Sequence, residues 1–190
     1  MHLNEPHRWE HMVIEAPDPK FSIKGWQQAA GGYAAVWATE NTREAIFDAM
    51  QRREVYATTG SRITVRFFGG FDYPEDLTDH PNYLDIAYSH GVPMGGDLTR
   101  RNGRQAPRFA VVAAKDIDGA NLDRIQIIKG WRTAKGTLQE KVYDVALSDG
   151  RTVDAKTGQA PAVGSTVDVA NARYRNSIGA AALSATWTDP

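Results

Sequence analysis

Five histidines are the residues of this sequence best suited to metal or proton chemistry, and His2, His7 and His11 lie within its first eleven residues. His7 and His11 are four residues apart, which on a helix would place both imidazoles on one face, as in metal-binding pairs. The residues between them do not follow the His-Glu-x-x-His pattern, and nearby prolines favour a loop. We interpret the pair as solvent-exposed, with a metal pair as the alternative.

A second group of potential ligands lies in a stretch rich in aspartate and histidine, formed by Asp76, Asp79, His80, Asp85 and His90. Their oxygen and nitrogen atoms could bind a metal ion. Their spacing matches no ligand motif, and the polar composition of a loop explains the same residues. Both interpretations remain open, and the loop is the one we favour.

Residues 92–98 (VPMGGDL) contain adjacent glycines whose backbone amides could face an anion. The stretch lacks the lysine and the strand-to-helix setting of a phosphate-binding loop, so we predict a tight structural turn. The sequence has no Gly-x-Ser-x-Gly elbow, which leaves a Ser-His-Asp hydrolase without support. It also contains no cysteine, which excludes disulfides, thiolate catalysis and zinc-thiolate sites and leaves the compartment undetermined.

Charge does not select a partner for this chain. Its 190 residues include 22 Lys and Arg against 23 Asp and Glu, a net charge of -1, and the basic residues are not interleaved with aromatic ones. Neither nucleic acid nor an acidic membrane is therefore predicted as a partner. No apolar run approaches the roughly 20 residues that a membrane-spanning helix needs.

One helix and many strands would position these residues. The spacing of Ala45, Ile46, Ala49 and Met50 predicts a helix over residues 42–53 with one apolar face, and we expect these four residues to be buried. We expect Asn41 to be its N-cap or adjacent to it, with Glu44 completing a capping box. Short strands are predicted over residues 33–38, 55–59 and 63–67.

Beyond residue 70 the pattern changes twice. Prolines and glycines interrupt residues 71–107, which predicts a long irregular loop. Strands separated by turn signals follow over residues 109–114, 122–129, 138–147, 165–170, 173–175 and 183–187. We therefore predict an α+β, mainly β fold: an N-terminal arm (1–30), a strand-helix-strand unit (31–70), the loop (71–107) and an antiparallel, β-sandwich-like region (108–190).

Several segments carry a family resemblance. They are residues 33–50 (YAAVWATENTREAIFDAM), 52–60 (RREVYATTG), 91–98 (GVPMGGDL), 120–126 (ANLDRIQ) and 167–172 (VDVANA). Together they resemble the bacterial domain-of-unknown-function family 3604 over about residues 30–190. Members of that family extend beyond the equivalent of Pro190, so the resemblance implies that the region 108–190 is truncated at its C-terminus. It also implies that this chain comes from the C-terminal part of a longer protein, whose earlier portion lies upstream.

That family is similar to the polymerase-and-histidinol-phosphatase (PHP) superfamily of metal-dependent hydrolases, which are built on a distorted β/α barrel. The resemblance implies that the helix and the strand at residues 55–59 are the last barrel elements. It also implies that a divalent metal in the full-length parent activates water to attack a phosphoester or related ester. The PHP motifs His-x-His and Ser-Asp-x-His are absent here. We therefore expect no metal centre and no cofactor in this fragment.

The fragment could still supply the rim of a substrate pocket. The candidates are residues at the start of the helix and on the glycine-rich loop: Glu40, Asn41, Arg43, Gly95, Gly96 and Asp97. The expected partners are the upstream barrel portion of the same protein and, in the parent, a small-molecule ester. The alternative function is a non-catalytic β-sandwich binding or interaction module. The protein could be cytoplasmic or exported, because any signal peptide would lie upstream.

Overall fold

The computed structural model describes residues 12–24, 31–99 and 105–190. Short strands and antiparallel pairing dominate this part of the chain, and no sheet within it closes into a barrel, so the predicted mainly β, α+β class is confirmed. The elements are β1 (Met12–Ile14), β2 (Ile23–Lys24), β3 (Ala34–Val36), α1 (Arg43–Gln51), β4 (Val55–Ala57), β5 (Thr64–Gly70), α2 (Tyr83–His90), β6 (Val92–Pro93), β7 (Arg108–Ala114), β8 (Arg124–Arg132), β9 (Leu138–Leu147), β10 (Val167–Asp168), β11 (Arg173–Tyr174) and β12 (Ala182–Thr188).

The chain divides into two compact units, residues 1–35 with 57–61 and residues 36–56 with 62–190. In the described part of the first unit, β1 pairs with β2 in antiparallel orientation. Strands β3 and β4 also pair with each other, and the division between the units falls within both of them. All further contacts described below lie within the second unit.

A four-stranded antiparallel sheet with the order β12-β7-β5-β6 forms the centre of the second unit. The register places Phe67 opposite Val111 and Val111 opposite Ala185. Because side chains alternate between the two faces of a strand, this register divides the apolar residues of β5 and β7 between two cores.

Each face of this sheet has its own core. On one face, Phe68 and Ala110 pack with Tyr73, with Leu77 of the short 3-10 helix Leu77–Asp79 and with Ala87 of α2. On the other face, the core residues Val111 and Ala113 pack with Ile125 from the β8–β9 hairpin. The hairpin lying on the sheet accounts for the sandwich-like character of the region.

Residues 71–107 are more regular than the irregular loop we predicted, because they contain α2 and β6. Pro81 and Gly91 suggested broken structure, but they flank the helix. Proline is favoured near a helix start and glycine just after a helix end. The same residues therefore mark the boundaries of α2.

Helix α1 spans Arg43–Gln51, and its N-cap is Thr42, so Asn41 is adjacent to the N-cap, the second of the two placements we predicted. The Thr42 hydroxyl accepts a hydrogen bond from the Ala45 backbone N–H at 3.3 Å. Ala45 and Ala49 are buried as predicted, but Met50 is 51% exposed, so its predicted burial is wrong. Only part of the apolar surface of α1 is therefore buried within this chain.

Candidate functional site

The glycine-rich segment 91–98 forms the edge strand β6 followed by a tight turn; we predicted the turn but not the strand. In β6, Val92 is paired with Gly69 and Pro93 with Phe68 of β5. The Gly96 N–H then donates a hydrogen bond to the Pro93 carbonyl at 3.0 Å. Gly95 has a φ of 79°, a conformation that favours glycine and is typical of the third residue of a type II turn.

This turn packs against the end of α1. A Cβ atom on Gly95 would lie 2.1 Å from the Arg53 carbonyl oxygen, so only glycine permits the approach. Arg53 Nη2 also lies 3.4 Å from Asp97 Oδ2, and both of these side chains are largely exposed. The turn is thereby placed beside the connection between α1 and β4.

The structure does not bring the two groups of predicted rim residues together. Glu40, Asn41 and Arg43 are exposed at the start of α1. The turn that carries Gly95, Gly96 and Asp97 contacts Arg53, just past the other end of the helix. A nine-residue helix is about 13 Å long, so the two groups lie at opposite ends of that length. Their role as a substrate rim stays a prediction.

A more closely connected polar group lies on the α2 face of β5, and sequence analysis missed it. We call it the Glu54 cluster: Trp37, Arg52, Glu54, Arg66 and Tyr88. The Tyr88 hydroxyl donates a hydrogen bond to Glu54 Oε1 and accepts one of 2.8 Å from Arg66 Nη1. Arg66 Nη1 and Arg52 Nη2 lie 3.6 and 3.5 Å from the two Glu54 carboxylate oxygens.

Burial sets the electrostatics of this cluster. The Glu54 side chain is only 6% exposed, and that of Arg66 is 20% exposed. Burial and the hydrogen bond to Glu54 raise the pKa of Tyr88, and the Arg66 charge opposes this only in part. Tyr88 therefore stays protonated at neutral pH, and two guanidinium groups surround one carboxylate. A buried ion pair of this kind connects β4, β5 and α2.

The predicted aspartate and histidine stretch is divided in the structure. His80 Nε2 lies 3.3 Å from Asp76 Oδ1, whereas His90 Nδ1 lies 2.8 Å from Ser89 Oγ at the end of α2. Within residues 12–24, 31–99 and 105–190, no three His, Asp or Glu side chains converge as a metal site would require. His7 and His11 lie outside the described residues.

A pocket of about 200 Å³ lies next to the glycine-rich turn. Its polar lining includes Ser89, His90 and Asp97, and Phe71 supplies an aromatic wall. Of the predicted rim residues, Asp97 alone belongs to it.

None of the described helices has the length and apolar composition needed to cross a membrane.

Comparison with known proteins gives a match to a family. The family model described as "Protein of unknown function (DUF3604)" matches residues 1–190. No curated protein and no solved structure matches the chain.

Proposed function

This chain belongs to the DUF3604 family, and we propose that it is the C-terminal part of a PHP-like, metal-dependent hydrolase that acts on a phosphoester or related ester. The segments around α1 and the glycine-rich turn, which carry the resemblance, support this proposal. According to this proposal, the described part of the chain is a supporting module that holds α1 against the rest of the enzyme.

The observation that carries the proposal is the outward face of α1. Ile46, Phe47 and Met50 lie on adjoining positions of this helix and line a shallow groove of about 450 Å³. Phe47 is 58% exposed and Met50 is 51% exposed. Helix faces of this kind are normally covered by another element. A barrel wall supplied by the upstream part of the protein is the cover we propose.

The residues that the structure describes do not fit a catalytic metal centre. Such a centre needs about three protein ligands converging on one ion, and the described part of the chain brings no such group together. We therefore derive no step of hydrolysis from these side chains. The metal of the proposed hydrolase would be held by other residues, and the Glu54 cluster would fix the end of α1 on the central sheet.

The first test is the coding sequence upstream of this segment. The proposal expects a His-x-His motif near the start of the barrel and a Ser-Asp-x-His motif late in it. An upstream sequence without these motifs would contradict the proposal. It would favour the alternative, a non-catalytic β-sandwich binding or interaction module.

The second test uses the full-length protein. Hydrolysis of 4-nitrophenyl phosphate with added Mn²⁺ should fall at least about tenfold in Phe47→Glu, because a charge would be forced into the docked face of α1. Leu138→Glu is the matched control, since Leu138 is 80% exposed at the start of β9. Equal activity of the two variants would remove α1 from the docking surface.

A further inference from the structure

A second pocket, of about 300 Å³, lies between residues 163–167 and 174–179. Asn121 and Asp123 also line it. None of its lining residues belongs to the Glu54 cluster or to the glycine-rich turn. Its volume is at the lower end of the range for small-molecule sites.

Hydrogen bonds hold the walls of this pocket in place. The Asn121 backbone N–H donates to Asn176 Oδ1 at 2.8 Å, and Asn121 Nδ2 donates to the Ile178 carbonyl at 2.9 Å. The Thr166 hydroxyl donates to the Arg175 carbonyl at 2.5 Å, which joins the two segments on either side of the pocket. Because these bonds fix the walls before a ligand binds, binding would cost little conformational entropy.

Much of the lining is apolar. Val163, Val167, Tyr174 and Ile178 face a common space, and Val167 and Tyr174 are largely exposed to solvent. An exposed aliphatic and aromatic lining favours a ligand with an apolar or aromatic body.

The charged groups of the pocket differ in whether they are paired. Asp123 accepts hydrogen bonds from Arg124 Nε at 2.9 Å and Arg151 Nη2 at 2.5 Å. Burial alone would raise the pKa of Asp123, but these two guanidinium groups outweigh it and lower the pKa. Arg175 is exposed, and its guanidinium makes no hydrogen bond or ion pair with any other residue that the structure describes. The charge left for a ligand is positive.

We propose that this pocket binds a small organic anion, a carboxylate or phosphate group attached to an apolar or aromatic body, with Arg175 pairing with the anionic group. A guanidinium group forms charge-assisted hydrogen bonds with either kind of anion. The proposal concerns a site separate from any ester hydrolysis by the parent enzyme, so it stands or falls independently of the proposed function.

The test is titration calorimetry of the whole chain with benzoate, phenyl phosphate and the neutral analogue benzamide. We expect at least one anion to bind about tenfold more tightly than benzamide, and Arg175→Gln to remove that preference. Tighter binding of phenyl phosphate would assign the pocket to phosphate esters, and tighter binding of benzoate would assign it to carboxylates.

Two further variants make the result specific. Arg173→Gln removes a neighbouring exposed arginine that does not line the pocket, so affinity should stay unchanged. Val163→Trp fills the pocket and should abolish binding. The melting temperature of Arg175→Gln should equal that of the parent chain, which would show that this variant keeps its fold. Absence of binding by both anions, equal affinity for benzamide, or full affinity in Arg175→Gln would overturn the proposal.

Discussion

The guanidinium carbon of Arg66 lies 3.4 Å from the centroid of the Trp37 ring. Trp37 Nε1 also donates a hydrogen bond of 2.8 Å to the Val65 carbonyl, so the residue that follows β3, six positions before α1, contacts β5 in two ways. Glu54, just after α1, reaches the same strand through Arg66. The segments before and after α1 are therefore both attached to β5, and Phe47 on the helix between them is exposed.

The Glu54 cluster predicts an unequal response to two charge-neutralising substitutions. Glu54→Gln should lower the free energy of unfolding by about 2 to 3 kcal/mol, because Arg66 would keep a largely buried charge without its carboxylate. Urea unfolding at pH 7 measures this change.

Asp97→Asn is the matched control for Glu54→Gln, because it removes the exposed Arg53–Asp97 pair. Exposed pairs contribute at most about 1 kcal/mol, so this variant should unfold close to the parent chain. Similar losses in the two variants would show that Glu54 is not held as the structure describes.

The strands of the second unit were largely predictable because their signals are local. Residues 138–147 lie between turn signals and form β9 with the predicted bounds. Helix α2 could not be predicted from the same signals, because Pro81 and Gly91 mark a helix boundary as readily as a loop. Whether this segment forms a helix or a loop depends on the packing of Ala87 against Phe68 and Tyr73 in the core. Such long-range packing is not visible in the local sequence.

The Glu54 cluster lay beyond sequence analysis for a related reason. Glu54 and Tyr88 are 34 residues apart, and they meet only because α2 packs on the face of β5 that carries Arg66. A glutamate before a strand and an arginine within one look like ordinary exposed charges. The order of the strands and the face chosen by α2 decide that these charges are buried together.

The buried side of α1 gives a second prediction. Ala49 is fully buried, so Ala49→Asp would place an unpaired carboxylate in the core and should destabilise the protein by several kcal/mol, on the order of 3 to 5. Met50→Asp adds the same charge one residue later on an exposed position, and it should cost less than about 1 kcal/mol. Thermal unfolding of both variants measures the difference, and an unchanged melting temperature of Ala49→Asp would remove the helix from the core.

Tyr73 predicts a loss of stability at high pH. Burial raises the pKa of Tyr73 from 10.0 to about 12. The folded protein therefore holds this proton more tightly than the unfolded chain does. The resulting stabilisation is fully present below about pH 10 and is lost as the pH rises toward 12, by roughly 2 to 3 kcal/mol in all.

Tyr73→Phe separates this effect from other alkaline effects. The variant loses the hydrogen bond of 2.7 Å from the Tyr73 hydroxyl to the Ala87 carbonyl, which should cost about 1 kcal/mol at pH 7. Above pH 10 its free energy of unfolding should fall less steeply than that of the parent chain. Urea unfolding at pH 7, 9, 10 and 11 measures both slopes, and parallel slopes would contradict the assignment.

The close contact between Gly95 and Arg53 gives the last prediction. Gly95→Ala would combine a positive φ with a Cβ atom 2.1 Å from the Arg53 carbonyl oxygen, so the turn has to move away from α1. Gly150→Ala is the matched control, because Gly150 has a φ of 63° but no atom within 4 Å of the added Cβ. The control should lose about 1 kcal/mol from backbone strain alone, and Gly95→Ala should lose at least about 2 kcal/mol more. Urea unfolding compares them, and equal losses would mean that the turn does not rest on the end of α1.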